Sequence, residues 1–236
     1  MTHGKALSGY SKEINIGTLN EGSLHSAMKQ LAAISGDAFE VTIDGFVIDI
    51  VRSSGKKSIL FEVQTTSFAA MRKKLSHLLN DYQIVVIYPV PVEIYLIKPD
   101  QKRRKSPKKG TLYTVFEELV SIPEFLTHPN LSFEVVCVSV QKIQEYDPSL
   151  RRRRGGYRTI NTELIEVHSN HTFAGIEDFM RLLPKGLPEV FTTADIATLG
   201  NISRGIAQQM AYCFRNAGTI IELKHTKEGK HYRVSS

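Results

Sequence analysis

The sequence predicts a mixed α/β protein in which a mixed sheet flanked by helices fills residues 1–146. A basic linker follows over residues 147–170, and a small unit of three helices and a β-hairpin closes the chain over residues 171–236. Three observations carry this. Short apolar runs between residues 39 and 97 have strand length and lie between two segments of helical periodicity. The last 65 residues are divided by proline and glycine into three helical stretches and a hairpin. The positive charge is concentrated rather than spread: KPDQKRRKSPKK (98–109) and RRRRGGYR (151–158) together carry +11, so the rest of the 236-residue chain, whose net charge is +6, is about −5.

The elements follow in order. Asn20 is a good helix N-cap, and Leu24, Met28 and Leu31 recur at helical spacing to about Ile34. Glu21 lies on the same stripe, where a single buried carboxylate is costly. FEVTI, the Asp44-Gly45 pair and FVIDIV read as a hairpin, with Asp49 among five apolar residues. SILFEVQ (58–64) is a third strand that carries Glu62 and Gln64 on one face. A helix over Ser67 to Asn80 points Phe68, Met71, Leu75, Leu78 and Leu79 inward and Arg72, Lys73 and Lys74 outward. QIVVIYP and VEIYLI read as two buried strands, TLYTVFEELVSI as an amphipathic helix, and LSFEVVCVSV as a further strand of the sheet.

Glu21, Asp49 and Glu62 become intelligible together if they converge on one site. An acidic pocket of hard oxygen ligands suits Mg²⁺ or Mn²⁺, and such an ion activates water and stabilises charge at a phosphodiester. His25, one turn after Glu21, is a candidate partner or proton carrier.

The order helix with Glu21, GFVIDIV with Asp49, ILFEVQT with Glu62, Val63 and Gln64, then a basic amphipathic helix and a strand, resembles the PD-(D/E)XK nuclease superfamily over residues 15 to 98. The resemblance implies a restriction-endonuclease-like core. It makes Asp49 and Glu62 the metal carboxylates, gives the backbone carbonyl of Val63 to the metal, and makes Glu21 the helix acid of the resolvase-like branch. Gln64 stands where the superfamily usually has lysine, and glutamine neither acts as a base nor carries charge. Lys73 or Lys74 is in place to supply a migrated cation. From RKSPKKGTLYTVFEELV to RRRRGGYR the chain is also similar to a bacterial family of nuclease-like proteins with the same arrangement and no assigned activity.

The C-terminal unit resembles a winged helix. Phe173 to Leu183, FTTADIATLG and Ile202 to Ala217 are its helices, and TIIELKHT, KEGK and HYRV its wing. On the third helix Ile206, Met210, Cys213, Phe214 and Ala217 share one side; Arg204, Gln208, Ala211 and Arg215 fall opposite, a composition suited to a major groove. Lys230, with Lys227 and Arg233 on the wing, and Arg151, Arg152, Arg153 and Arg154 are candidate phosphate contacts.

The expected function is thus a Mg²⁺- or Mn²⁺-dependent endonuclease acting on double-stranded DNA, alone, as a homodimer or in a larger nuclease complex. Two readings compete: a catalytically inactive nuclease-fold subunit of a mobile-element or defence complex, and an interaction scaffold. The two cysteines, 76 positions apart, cannot form a disulfide framework. No run reaches the roughly 18 apolar residues of a spanning helix, and the first ten residues lack the apolar core of a signal peptide. A cytoplasmic protein without a membrane partner is therefore expected. No Walker motif, nucleophile elbow or dinucleotide fingerprint is present, so ATP hydrolysis, acyl transfer and hydride transfer have no support.

Overall fold

The structure is a computed structural model that describes residues 22–55, 57–150, 156–227 and 229–235. Its centre is a seven-stranded mixed sheet. Strands β1 (Ala38–Ile43), β2 (Phe46–Ser54) and β3 (Lys57–Val63) form an antiparallel meander. Asp44 and Gly45, both at positive φ, turn the first hairpin as the sequence predicts. β4 (Gln83–Ile97) runs parallel to β3, and the short β5 (Arg104–Lys105) folds the basic segment back along β4. β6 (Leu131–Tyr146) is parallel to β4, and β7 (Tyr157–Phe173) is antiparallel to β6 at the sheet edge.

Helices cover both faces. α1 (Ser23–Ala32) packs Leu24 and Met28 on one side, against Ile50, Phe61, Val136 and Val138. On the other side α2 (Arg72–Leu78) and α3 (Phe116–Leu119), each preceded by a turn of 3₁₀ helix, bury Leu75, Leu78, Phe116 and Leu119 against Leu60, Val86 and Phe133. The predicted helix at 111–122 is thus broken into short turns.

Two expectations change here. QIVVIYP and VEIYLI are one continuous strand with a register shift between Pro91 and Glu93; Pro89 and Pro91 fit in it because they lie past Ile87, where the pairing with β3 ends. Residues 157–170, expected in a linker, form most of β7. Pairing with β6 leaves Ile160, Ile165 and His168 without partners, and each bulge resets the alternation that would have marked a strand. The sheet unit therefore runs to about residue 173, and Phe173 ends a strand rather than starting a helix.

The C-terminal unit comprises α4 (Ile176–Met180), β8 (Phe191–Thr192), α5 (Thr193–Gly200), α6 (Arg204–Asn216), β9 (Ile220–Thr226) and β10 (Gly229–Val234), its strands ordered β8-β10-β9. Thr192 caps α5 in a reciprocal box with Asp195, Ser203 caps α6, and Gly218 at φ +76° follows its end. The unit shares the core of the sheet. Phe116 meets Phe214 and Phe179 edge-on, and Phe179 stacks on Phe173. Among the described residues no helix is long and apolar enough to cross a membrane.

Candidate active site

The strands distort where the carboxylates lie. Ile48 belongs to the core under α2, whereas Ile50 belongs to the core under α1. Residues two apart in a regular strand share a face, so β2 is irregular at Asp49. On β1 the facing residue, Glu40, takes φ +51°, the left-handed region that strands avoid. The β2–β3 pairing stops at Ile50 and Phe61, which leaves the next backbone groups to be satisfied by side chains.

Asp49 does this for β3. Its Oδ2 accepts the Val63 amide at 2.8 Å and lies 3.1 Å from His25 Nε2, while Oδ1 is 3.9 Å from Lys29 Nζ. Lys29 is buried and also pairs with Glu40. Burial pushes the Asp49 pKa up, but His25, the Val63 amide and Lys29 together outweigh it and hold the carboxyl below its ordinary value.

Glu62 is held from the opposite helix. Its Oε2 accepts from Lys74 Nζ at 2.7 Å, and the same ammonium donates to the Val47 carbonyl at 2.7 Å. Its other oxygen, Oε1, is buried with no hydrogen-bond partner among the described residues. Burial raises the Glu62 pKa and the neighbouring Asp49 charge adds to it; Lys74 and the Asp49 amide only partly offset them. The two carboxylates are thus neighbours with opposite shifts, one held ionised by its partners, the other buried and half-satisfied.

Of the sequence-predicted set, the fold brings Asp49, Glu62 and Val63 together. Gln64 does not join them: its amide nitrogen donates to Ser67 O at 2.8 Å and approaches Thr66 Oγ1 at 3.3 Å, bracing the start of the next helical turn. Lys74 takes the cation's place, while Lys73 stays exposed. Glu21 lies outside the described residues. The sequence reading missed Lys29 and Glu40. Lys29 was legible as one turn beyond His25 on α1, whereas Glu40 acts through a backbone kink that no pattern announces.

A cleft of about 310 Å³ opens beside this site, lined on one side by Leu24, His25, Thr65 and Thr66 and on the other by Lys142 and Thr159 to Thr162. His25 therefore reaches both the cleft and Asp49. Among the described residues no three His, Cys, Asp or Glu side chains gather as a metal cage. Hydrated Mg²⁺ needs only one or two carboxylates. The orphaned Glu62 oxygen, the adjacent Asp49 and a Val63 carbonyl on the same strand edge fit that requirement.

The other predicted contacts divide. Arg204 and Gln208 are exposed on α6. Ala211 is not: it is buried against the core, and Tyr212 stands on the exposed stripe instead. Arg215 and Lys230 share Glu222, each at 2.9 Å, so both positive charges are already engaged. Arg151, Arg152, Arg153 and Arg154 lie outside the described residues. Both cysteines are buried and free, and burial pushes the Cys213 thiol up to about 12.

Residues 22–174 match the family model described as "Domain of unknown function (DUF8091)", and the chain belongs to that family. The matched segment ends where β7 ends. An "Uncharacterized protein" of Treponema pallidum (strain Nichols) is 30% identical over 192 residues, covering 79% of this chain and 75% of that protein. No solved structure matches the chain.

Proposed function

We propose that this protein is a divalent-metal-dependent DNA endonuclease of the PD-(D/E)XK type, with Lys74 supplying the cation that Gln64 cannot. The observation that carries this is the half-satisfied Glu62. A carboxylate 6% exposed, with one oxygen on an ammonium and the other without a hydrogen-bond partner among the described residues, beside a second carboxylate, is an arrangement that destabilises the fold and suits a cation. Asp49, Glu62 and the Val63 carbonyl would hold Mg²⁺ or Mn²⁺, which when bound lowers the pKa of a water and stabilises charge on the phosphate. Lys74 fixes Glu62 and places a positive charge where a phosphate oxygen gains charge. His25 orients Asp49 and, facing the cleft, is placed to carry a proton away.

The restriction-endonuclease-like core is supported by the order of α1, the antiparallel β1–β3 meander, α2 and the parallel β4. A winged helix is supported by the succession α4, β8, α5, α6 and the β9–β10 hairpin with strand order β8-β10-β9. In this reading Arg204 and Gln208 face double-stranded DNA, and Arg215 and Lys230 contact it only by exchanging Glu222 for phosphate.

One observation favours the alternative, a catalytically inactive DNA-binding or assembly subunit: Lys29 and Lys74 already neutralise the two carboxylates. Mn²⁺ titration followed by water-proton relaxation separates the two. An active site binds Mn²⁺ in the wild type and loses it in Asp49→Asn and Glu62→Gln. Relaxation that does not change with the wild-type protein excludes the metal site and leaves the inactive subunit.

A further inference from the structure

The outer ends of β4, β6 and β7 form a half-buried extension of the sheet, edged by β5. Its surface combines tyrosines with cations. Lys98 Nζ lies 3.6 Å over the Tyr157 ring and the Arg103 guanidinium 3.9 Å over Tyr95. Lys105 and Arg158 are neutralised by Glu93 and Glu145, whereas Lys102 and Arg104 are exposed and make no ion pair among the described residues. Tyr146, the last residue of β6, is 52% exposed yet firmly seated. Tyr157 meets it edge-on at 5.7 Å, and Gly156, at φ +79°, packs so close that a Cβ there would lie 2.6 Å from the Tyr146 ring. Tyr146 is backed by glycine and abuts a tyrosine whose face carries Lys98, and a ring so held is pre-organised at little entropic cost.

We propose that this end of the sheet binds single-stranded nucleic acid, with the Tyr146 ring stacking on an unpaired base and Lys102, Arg103 and Arg104 holding the backbone. The charge calls for a polyanion. The exposed ring selects a single strand, because the base faces it would stack on are covered inside a duplex. The cleft begins two residues further along β7, at Thr159, and ends at His25, so a strand seated on Tyr146 is led toward Asp49. The inference rests on the nucleic-acid part of the proposed function and narrows it to DNA with an unpaired segment.

The test is fluorescence anisotropy in EDTA with full-length Asp49→Ala protein, using a labelled oligodeoxythymidylate and a blunt duplex of equal length. Tyr146→Ala and Tyr146→Leu should each weaken oligodeoxythymidylate binding about tenfold, the loss of one stacked base. Tyr146→Trp should bind it as tightly as tyrosine does, and duplex binding should be unaffected in all three. Unchanged oligodeoxythymidylate binding in the alanine variant, an equal loss on both probes, or failure of tryptophan to substitute overturns the proposal. Because no cleavage is measured, absence of nuclease activity in the wild type leaves this result standing; retained cleavage without any Tyr146 effect sinks this proposal alone.

Discussion

Replacing Lys74 by methionine keeps the side-chain length and removes the charge from a pair in which Glu62 is 6% exposed. Removing one partner of a buried pair costs about 3–5 kcal/mol when the other charge has no escape. Glu62 has one: it can take up a proton. From its ordinary pKa of 4.5, protonation at about pH 7 costs about 3.4 kcal/mol, at about 1.4 kcal/mol per pH unit, and that is the ceiling on the penalty. At about pH 5 the same ceiling falls to about 0.7 kcal/mol. The sign follows from the raised folded pKa. The native state binds a proton more readily than the unfolded chain, so stability falls as pH rises through the window above 4.5. Removing Lys74, which opposes the rise, widens that window. Urea unfolding of wild type and Lys74→Met in EDTA should therefore show a gap of up to about 3 kcal/mol near neutrality that closes toward pH 5. The double variant Lys74→Met, Glu62→Gln should lose the pH dependence. A gap independent of pH, or absent near neutrality, refutes the claim that Lys74 neutralises a buried carboxylate.

Asp49 has the opposite sign: its depressed pKa contributes stability present above 3.8 and lost as pH falls through the folded value, so Asp49→Asn should flatten that acid limb in pH-dependent unfolding. Phe214 is fully buried against Phe116, and Phe214→Ala should cost about 3–5 kcal/mol while unfolding stays a single transition by both far-UV and near-UV circular dichroism. In competition binding against randomised duplexes, Arg204→Ala or Gln208→Ala should lower preference among sequences, by about 1–3 kcal/mol per lost base contact. Lys230→Ala should weaken all duplexes alike.

The three strands around Asp49 and Glu62 were legible because each is a short apolar run broken by one carboxylate, and an isolated charge in such a run has few bland explanations. The helices α5 and α6 were legible from the proline and glycine residues that separate and end them, Gly218 among them, whose roles are local. Two features were not. β7 hid because three bulges interrupt its alternation and its residues are mostly polar, so only pairing with β6 reveals it. The role of Gln64, and the choice of Lys74 over Lys73 as the cation, hid because they depend on where α2 crosses the sheet: the glutamine turns toward Ser67 while a lysine ten residues later reaches Glu62. Ala211 was placed on the open side of α6 by angle alone, yet this helix is buried over a wide arc because α3 and α5 both pack on it.

The most direct measurement is conversion of supercoiled plasmid to nicked or linear DNA by the purified full-length protein in Mg²⁺ or Mn²⁺. The wild type should cleave, EDTA should stop it, and Asp49→Ala and Lys74→Ala should each abolish it while Gln64→Ala retains it. Cleavage that survives Asp49→Ala, or a wild type inert in both metals, contradicts the account.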